Sequence, residues 1–307
     1  MHKIDWRNCF EFFTGAVKPN IRMNEKLLEF YRSHPDMNIR SRCSAGITFA
    51  METDAEELAL EFVFGESART IYTCDLSVNG SIIPLDCREP QKAVLGAGVK
   101  NVIIYLPNMV VINDFTLAVS DGAFYRALPH RQRKLLLCGD SIMQGMTCST
   151  PSRALGALTA DALGLELFNT SVGGAIMRSQ AVAETLTYGG SNDIIAVGFG
   201  INDAARRTPP EDFRSETARI MAMLNDFSGK ALVATPLPAF CAAEEYREVY
   251  SSIIRECAEK YPRIKLLEGT EFYPRREELF VDGLHPNDEG MKIYAENLVQ
   301  AIRPELA

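Results

Sequence analysis

The spacing of apolar and polar positions changes partway along the chain and divides it into two parts. Before about residue 120, apolar residues alternate with polar ones in short runs, which is typical of half-buried strands. These runs are Gly46–Met51, Leu58–Phe64, Leu76–Ile83, Lys100–Leu106 and Asp114–Val119, and one amphipathic helix over Asn24–His34 precedes them. Short strands without intervening helices predict an antiparallel sandwich or jelly roll.

The run Leu76–Ile83 contains a turn signal. Asn79-Gly80 lies in its middle, and this dipeptide is the usual centre of a two-residue hairpin turn. The sequence therefore predicts two strands here rather than one.

Beyond about residue 133 the pattern alternates between strands and helices. The predicted buried strands are Leu135–Gly139, Leu165–Asn169, Asp193–Gly200, Lys230–Thr235 and Ile264–Leu267. The predicted helices are Arg153–Leu163, Gln180–Thr187, Pro210–Asp226, Glu244–Lys260 and Asp288–Ile302. This alternation predicts a parallel sheet covered by helices on both faces, with loops at the strand ends free to carry chemistry.

A polar, basic segment that contains a proline separates the two patterns, at Tyr125–Lys134. Such a composition is typical of a boundary between domains. We therefore predict a β domain with a short leading helix over residues 1–131 and an α/β domain over residues 132–307.

Composition excludes several classes of function. The net charge of -8 disfavours binding to nucleic acid or to an anionic membrane. No apolar stretch approaches the roughly 18 residues of a transmembrane helix. The eight cysteines form no C-x-x-C pair and no metal-ligand spacing, so reduced thiols and a cytoplasmic location are expected.

Cofactor motifs are missing as well. The chain has neither the G-x-G-x-x-G of a dinucleotide loop nor the G-K-[ST] of a phosphate loop, and it has no H-E-x-x-H. We expect no cofactor and no metal.

The first candidate for chemistry is Ser141. It follows the apolar strand Leu135–Gly139 in the sequence Gly139-Asp140-Ser141, and the carboxyl ends of parallel strands form the usual ligand-binding crevice. Taken alone, the serine is a weak signal. Asp140, held between Gly139 and Ser141, is predicted to support the turn rather than to titrate in the reaction.

A base for this serine is available in one place. The chain has four histidines, and only His285 lies in the α/β half, in Asp282-Gly283-Leu284-His285-Pro286. His285 could accept the proton of Ser141, and Asp282 could orient the imidazole and stabilise its charged form. The alternative is a surface loop that caps the last helix.

Acyl transfer also needs donors for the developing oxyanion, and two strand-end loops offer them. Paired glycines in Asn169–Gly174 let a backbone N–H approach a ligand closely, and Asn202 in Gly198–Asp203 has a side-chain N–H. Each loop also has a structural explanation, as a tight turn or a helix cap.

Together these four blocks resemble the signature blocks of the SGNH (GDSL-type) hydrolases. Gly139–Ile142, Asn169–Gly174, Gly200–Asp203 and Asp282–Pro286 occur in the order of that family, and the resemblance covers about Arg133–Ala307. It implies a flavodoxin-like three-layer α/β/α sandwich with a five-stranded parallel sheet.

The resemblance also implies roles for individual residues. Ser141 would be the nucleophile, His285 the base and Asp282 its partner. The N–H groups of Ser141 and Gly174 and the side chain of Asn202 would form the oxyanion hole.

Two points stay open in this transfer. Ser171 stands where many members have glycine, and Gly173 would replace Gly174 as the donor if the turn were offset. Some relatives orient the histidine with a backbone carbonyl, so the site would then be a Ser–His dyad without Asp282.

The first half resembles the β-sandwich module that precedes the SGNH domain in a subgroup of bacterial esterases, several of which act on acetylated carbohydrates. The matching features are Arg42–Gly46, Asp75–Gly80 and Tyr105–Pro107. Three roles stay open for this module: carbohydrate binding, shaping of the active-site rim, or a contact in a homo-oligomer.

These observations predict a serine esterase that removes small acyl groups, acetyl above all, from a carbohydrate or similar small alcohol. One alternative is a lysophospholipase or thioesterase that acts on longer acyl chains. The other is a carbohydrate-binding protein without catalytic activity.

Overall fold

A computed structural model describes residues 1–306 and divides the chain into two compact units. One unit comprises Met1–Arg131 together with Ser149–Ser152, and the other comprises Gln132–Cys148 and the chain from Arg153 onward. The four residues 149–152 thus lie with the first unit, although the chain on either side of them belongs to the second.

The first unit is built mainly from short antiparallel strands. In chain order they are β1 (His2–Ile4), β2 (Phe13–Thr14), β3 (Thr48–Thr53), β4 (Glu57–Ser67), β5 (Thr73–Val78), β6 (Ser81–Asp86), β7 (Gln91–Val94), β8 (Lys100–Tyr105), β9 (Val110–Val119) and β10 (Tyr125–Ala127). Helices α1 (Glu25–Arg32) and α2 (Pro35–Arg42) lie between β2 and β3 in the chain.

These strands form two sheets that share one core. The strand order is β1-β9-β4-β7 in one sheet and β10-β3-β8-β5-β6 in the other, where β2 also pairs with β3. Leu58 and Leu117 of the first sheet and Leu76 and Ile104 of the second are fully buried in the same apolar cluster. Two antiparallel sheets packed on a common core form a β-sandwich, which confirms that part of the prediction. Its jelly-roll form stays a prediction.

The predicted hairpin is also confirmed. β5 and β6 pair in antiparallel register, and Asn79 and Gly80 connect them with φ angles of 49° and 88°. Two successive positive φ angles are what a type I′ turn requires, and asparagine and glycine tolerate them best.

One local prediction for this unit was wrong. The segment Tyr125–Lys134 is not a linker throughout, because Tyr125–Ala127 forms β10 beside β3, and the Tyr125 ring packs 6.1 Å from that of Phe12. Three residues are too few to show an alternating pattern. The helix predicted over about Asn24–His34 is present as α1, with Asn24 as its N-cap, and Pro35 starts α2, a helix whose sequence has no apolar stripe.

The second unit is an α/β fold. Its strands are β11 (Lys134–Gly139), β12 (Glu166–Asn169), β13 (Ile194–Gly198), β14 (Lys230–Ala234) and β15 (Ile264–Leu267). Its helices are α3 (Ser141–Gln144), α4 (Leu155–Leu163), α5 (Ser179–Leu186), α6 (Ile201–Arg206), α7 (Pro210–Asp226), α8 (Glu244–Ala258), α9 (Gly269–Phe272) and α10 (Asp288–Ile302).

All five strands run parallel in the order β12-β11-β13-β14-β15. This is the flavodoxin-like order, so the predicted fold of the second half is confirmed. Leu135–Cys138 are fully buried, because both faces of a parallel sheet are covered. Leu135 and Leu137 pack in one cluster with residues of α4 and α10.

This topology determines where a ligand can bind. Strand order reverses beside β11, since β12 lies on one side of it and β13 on the other. In open α/β sheets the crevice forms at this switch point, outside the carboxyl ends of the strands. Within residues 1–306, no helix is both long enough and apolar enough to cross a membrane.

Candidate active site

The turn after β11 places Ser141 at the carboxyl edge of the sheet. β11 ends at Gly139, where a Cβ atom would lie 2.5 Å from the carbonyl oxygen of Gly198, so only glycine allows this close approach. The side chain of Asp140 caps α3 by accepting a hydrogen bond of 3.0 Å from the N–H of Ile142. Ser141 is therefore the first residue of a fixed turn, and only 5% of its surface is exposed.

Ser141 lies in a hydrogen-bonded chain with the histidine and the aspartate that the sequence selects. Ser141 Oγ is 2.8 Å from His285 Nε2, and His285 Nδ1 is 2.8 Å from Asp282 Oδ2. When the imidazole is neutral and carries its proton on Nδ1, it donates to Asp282 and accepts from the serine hydroxyl. The fold thus brings together two segments that are 144 residues apart in the chain.

A tight loop orients the aspartate and the histidine. The N–H of Val281 donates to the carbonyl of His285 at 2.8 Å, and Gly283 adopts a φ of 74° between them. Asp282 Oδ1 accepts hydrogen bonds from the N–H groups of His285 (2.9 Å) and Leu284 (3.2 Å). One carboxylate therefore holds both the loop backbone and the imidazole ring.

These hydrogen bonds also affect the charge of Asp282. Burial raises the pKa of its carboxyl, but the hydrogen bonds from the backbone and ring of His285 lower the pKa by more, so that it lies below its ordinary value. The group is therefore ionised near neutral pH and can stabilise a positive charge on His285.

The second predicted loop forms a turn over residues 172–175, which we call the glycine turn. The N–H of Ala175 donates to the carbonyl of Val172 at 3.0 Å, and Gly174 adopts a φ of 81°, as the third residue of a type II turn requires. The N–H of Gly173 donates to Gln144 Oε1 at 2.7 Å. Among residues 1–306, the N–H of Gly174 has no protein acceptor.

Asn202, in the first turn of α6, lies beside the glycine turn. Its Nδ2 donates one N–H to the carbonyl of Ala175 at 3.0 Å, and an amide nitrogen has a second N–H to offer. The N–H of Ser141 likewise has no protein acceptor within the described residues. The three predicted donors thus follow the ends of three adjacent strands, β11, β12 and β13.

Two buried aspartates, Asp140 and Asp203, lie next to the candidate nucleophile and to Asn202 in the chain. Burial, together with the charge of Asp203, raises the pKa of Asp140 to about 7, against the opposing effect of the Ile142 N–H. Asp203 accepts a hydrogen bond of 3.0 Å from the N–H of Met177, and burial raises its pKa as well. Asp140 hydrogen-bonds to the backbone next to Ser141, and its supporting role stays a prediction.

Two contacts of the glycine turn were not predicted. Besides the bond from Gly173 to Gln144, Arg206 Nη2 donates to the carbonyl of Gly174 at 2.9 Å. In the sequence, only their positions indicate these two residues: Gln144 lies three residues after Ser141, and Arg206 lies four residues after Asn202, one helical turn along.

No group of three His, Cys, Asp or Glu side chains in the described chain is arranged to hold a metal ion.

Part of the chain matches a known protein family. Residues 137–293, about half of the chain, match the model of the GDSL-like lipase/acylhydrolase family. No curated protein matches the sequence.

Several solved structures are similar in fold. A protein from Bacteroides ovatus described as a GDSL-like lipase has a TM-score of 0.79 at 20% identity, covering 96% of this chain and 95% of that one. The salicylyl-acyltransferase of a tetracycline biosynthetic pathway has a TM-score of 0.78 at 20% identity, covering 95% and 94%.

A family 2 carbohydrate esterase with a carbohydrate-binding domain, from Corynascus thermopiles (Myceliophthora fergusii), has a TM-score of 0.65 at 14% identity, covering 85% and 94%. At these identities the similarity to the three structures establishes the fold alone.

Proposed function

The chain belongs to the GDSL-like lipase/acylhydrolase family. We propose that it is a serine esterase that hydrolyses small acyl esters, acetyl esters of carbohydrates above all. The observation that carries the proposal is the chain of hydrogen bonds from Ser141 Oγ to His285 Nε2 and from His285 Nδ1 to Asp282, each 2.8 Å long.

The proposed reaction proceeds through an acyl-serine intermediate. Ser141 Oγ attacks the ester carbonyl while His285 Nε2 accepts the hydroxyl proton. His285 then gives this proton to the leaving alcohol, and the acyl group stays on Ser141. Water then attacks the acyl-serine while the same imidazole accepts one of its protons, and the imidazole returns this proton to Ser141 Oγ as the carboxylic acid leaves.

Charge stabilisation in this mechanism comes from two sides. The N–H groups of Ser141 and Gly174 and the amide of Asn202 donate to the oxyanion of the tetrahedral intermediate. Asp282 holds the imidazole in the tautomer with Nδ1 protonated and stabilises its cationic form, so the site works as a triad rather than a dyad. The low pKa of Asp282 supports this role.

The acyl group and the alcohol are proposed from similarity of fold. The carbohydrate esterases among the structures of similar fold favour a carbohydrate ester as substrate. The salicylyl-acyltransferase is consistent with this fold also accommodating transfer to an acceptor other than water. We propose a small or carbohydrate ester substrate, no cofactor and, from the free cysteines, a cytoplasmic location.

Replacing the nucleophile tests the proposal directly. We expect Ser141→Ala to release acetate from p-nitrophenyl acetate and from acetylated glycans at least about three orders of magnitude more slowly than wild type. Far-UV circular dichroism of the variant should match that of wild type, because the change removes one oxygen atom from a turn. Equal rates in the two proteins would rule out Ser141 as the nucleophile.

Acyl chain length separates the acetylesterase from the longer-chain alternatives. With p-nitrophenyl esters of increasing length, kcat/KM should be highest for acetate and fall as the chain grows. A maximum at eight or more carbons would instead favour a lysophospholipase or thioesterase.

A further inference from the structure

The glycine turn needs external supports to define a single conformation. Its two central residues, Gly173 and Gly174, lack Cβ atoms, so the peptide bond between them can rotate with little steric hindrance. The N–H of Gly174 belongs to this peptide bond. The chain's own geometry therefore does not fix the direction in which that N–H points.

Hydrogen bonds from outside the turn restrain both of its central residues. Gln144 Oε1 accepts from the N–H of Gly173 at 2.7 Å, and Arg206 Nη2 donates to the carbonyl of Gly174 at 2.9 Å. One contact lies on each side of the peptide bond in question. The N–H that they leave without a protein acceptor is that of Gly174.

Gln144 connects the turn to the helix of the nucleophile. It is the last residue of α3, whose first residue is Ser141, and its side chain is fully buried. Asn169 reinforces the connection, because its Nδ2 donates to the carbonyl of Met143 at 2.9 Å. The same short helix, α3, therefore positions the N–H of Ser141 directly and the N–H of Gly174 through Gln144.

Arg206 connects the turn to the helix of the third donor. It ends α6, in which Asn202 occupies the first turn, and its side chain is exposed. Its neighbour Arg207 is also exposed, but the Arg207 guanidinium lies 4.5 Å from the centroid of the Tyr246 ring and has no contact with the turn. The chain therefore provides a matched control.

We propose that Gln144 and Arg206 are positioning residues that direct the N–H of Gly174 towards the oxyanion, an inference that rests on the proposed acyl transfer at Ser141. Neither side chain contacts the reacting atoms. Gln144 defines the turn from the buried side, and Arg206 defines it from the solvent side.

The buried contact is tested with Gln144→Met, which keeps the length of the side chain and removes the acceptor. We expect kcat for p-nitrophenyl acetate to fall about 30-fold while KM changes less than about threefold, because the loss concerns the transition state. The affinity for a phenylboronic acid, which forms a tetrahedral adduct on serine, should fall by a similar factor. A residue with a merely structural role would lower the thermal midpoint and leave kcat of the folded enzyme unchanged.

The exposed contact is tested with Arg206→Ala against Arg207→Ala, since neither change removes a buried side chain. Arg206→Ala should lower kcat about fivefold, less than the change at Gln144, because water can replace an exposed donor. Arg206→Lys should restore most of the rate, since its ammonium group can donate to the same carbonyl. Arg207→Ala should keep the kcat of wild type.

Measuring Ser141→Ala in parallel separates this inference from the proposed function. If Ser141→Ala is inactive while Gln144→Met and Arg206→Ala keep the kcat of wild type, the positioning roles are wrong and the esterase mechanism stands. If Ser141→Ala is active, the proposed function fails first. Should Gln144→Met not fold, the comparison of Arg206 with Arg207 decides by itself.

Discussion

Asp140 illustrates how burial changes the chemistry of a single residue. The residue is 4% exposed, and burial raises the pKa of its carboxyl group to about 7. An unfolded chain ionises this group near its ordinary pKa of 3.8. Between these two values the unfolded state gives up a proton that the folded state retains, so folding becomes less favourable as the pH rises.

The resulting prediction concerns stability against pH. Between pH 4 and pH 7, wild type should lose about 4 kcal/mol of unfolding free energy through this group, with no further loss above pH 7. Asp140→Asn keeps an acceptor oxygen for the Ile142 N–H but cannot ionise, so it should not show this loss. Urea unfolding at several pH values, followed by far-UV circular dichroism, measures the difference. Parallel pH curves for the two proteins would contradict the buried, neutral Asp140.

At this scale the sequence identifies the proposed reacting residues better than the proposed positioning residues. Ser141, Asp282 and His285 could be selected because acyl transfer demands these side-chain types, and the fold places them within hydrogen-bonding distance. Gln144 and Arg206 act by holding backbone groups, a task open to many polar side chains. Only the folded geometry shows which polar residue does it.

At the scale of elements, α6 depends on the glycine that precedes it. Gly200 adopts a φ of 116°, and a Cβ atom there would lie 2.7 Å from Cγ of Pro236. Both the backbone conformation and the lack of space therefore require glycine. Because α6 holds Asn202 and Arg206, a shift at Gly200 would reach the glycine turn through both side chains.

We expect Gly200→Ala to lower the free energy of unfolding by about 2–4 kcal/mol and kcat/KM at least about tenfold, through strain and displacement of α6. The control is Gly164→Ala at the end of α4, where φ is 66° and an added Cβ atom would meet no other atom within 4 Å. That change should cost about 1 kcal/mol and leave kcat/KM unaltered. Thermal unfolding and ester hydrolysis compare the two. Equal effects on kcat/KM would mean that α6 does not align the site.

Element length explains which secondary structure was predictable. The five strands of the parallel sheet are short, mostly apolar runs, and the long helices show a clear period, so all of them could be predicted from the sequence. Helix α6 has six residues and β10 has three, which is too short for either period to appear. Helix α2 is long enough but carries no apolar stripe, because Met37 and Ile39 are two residues apart and do not share one helix face.

At the scale of the whole molecule, the cysteines bear on the proposed cytoplasmic location. All eight are free, and only Cys9 and Cys241 are partly exposed. Burial raises the pKa of Cys43 and of Cys138 to about 11, so these thiols hold their protons near neutral pH. A buried, protonated thiol reacts slowly with a disulfide reagent.

A thiol titration tests this interpretation. The native protein should react rapidly with 5,5′-dithiobis(2-nitrobenzoic acid) at no more than the two partly exposed cysteines. Protein denatured without reductant should yield all eight thiols. A lower count in the denatured protein would indicate a disulfide and would contradict the proposed cytoplasmic location.

The division into two patterns could be predicted from the sequence because the apolar period changes from that of half-buried strands to that of alternating strands and helices. What the pattern could not reveal is that the chain returns to its first unit. Ser149–Ser152 is a short polar segment, and nothing in its composition distinguishes it from an ordinary loop.

Because Ser149–Ser152 belongs to the first unit, the two parts of the gene are constrained to evolve together. Ser152 donates its N–H to the buried carboxylate of Asp75 at 2.7 Å, and Thr73 donates its hydroxyl to the carbonyl of Ser149 at 2.8 Å. A gene fusion or deletion at codon 131 would therefore separate β5 from four residues encoded on the far side of the junction. The sandwich and the hydrolase sequence should evolve as a pair, exchanged between genes together or not at all.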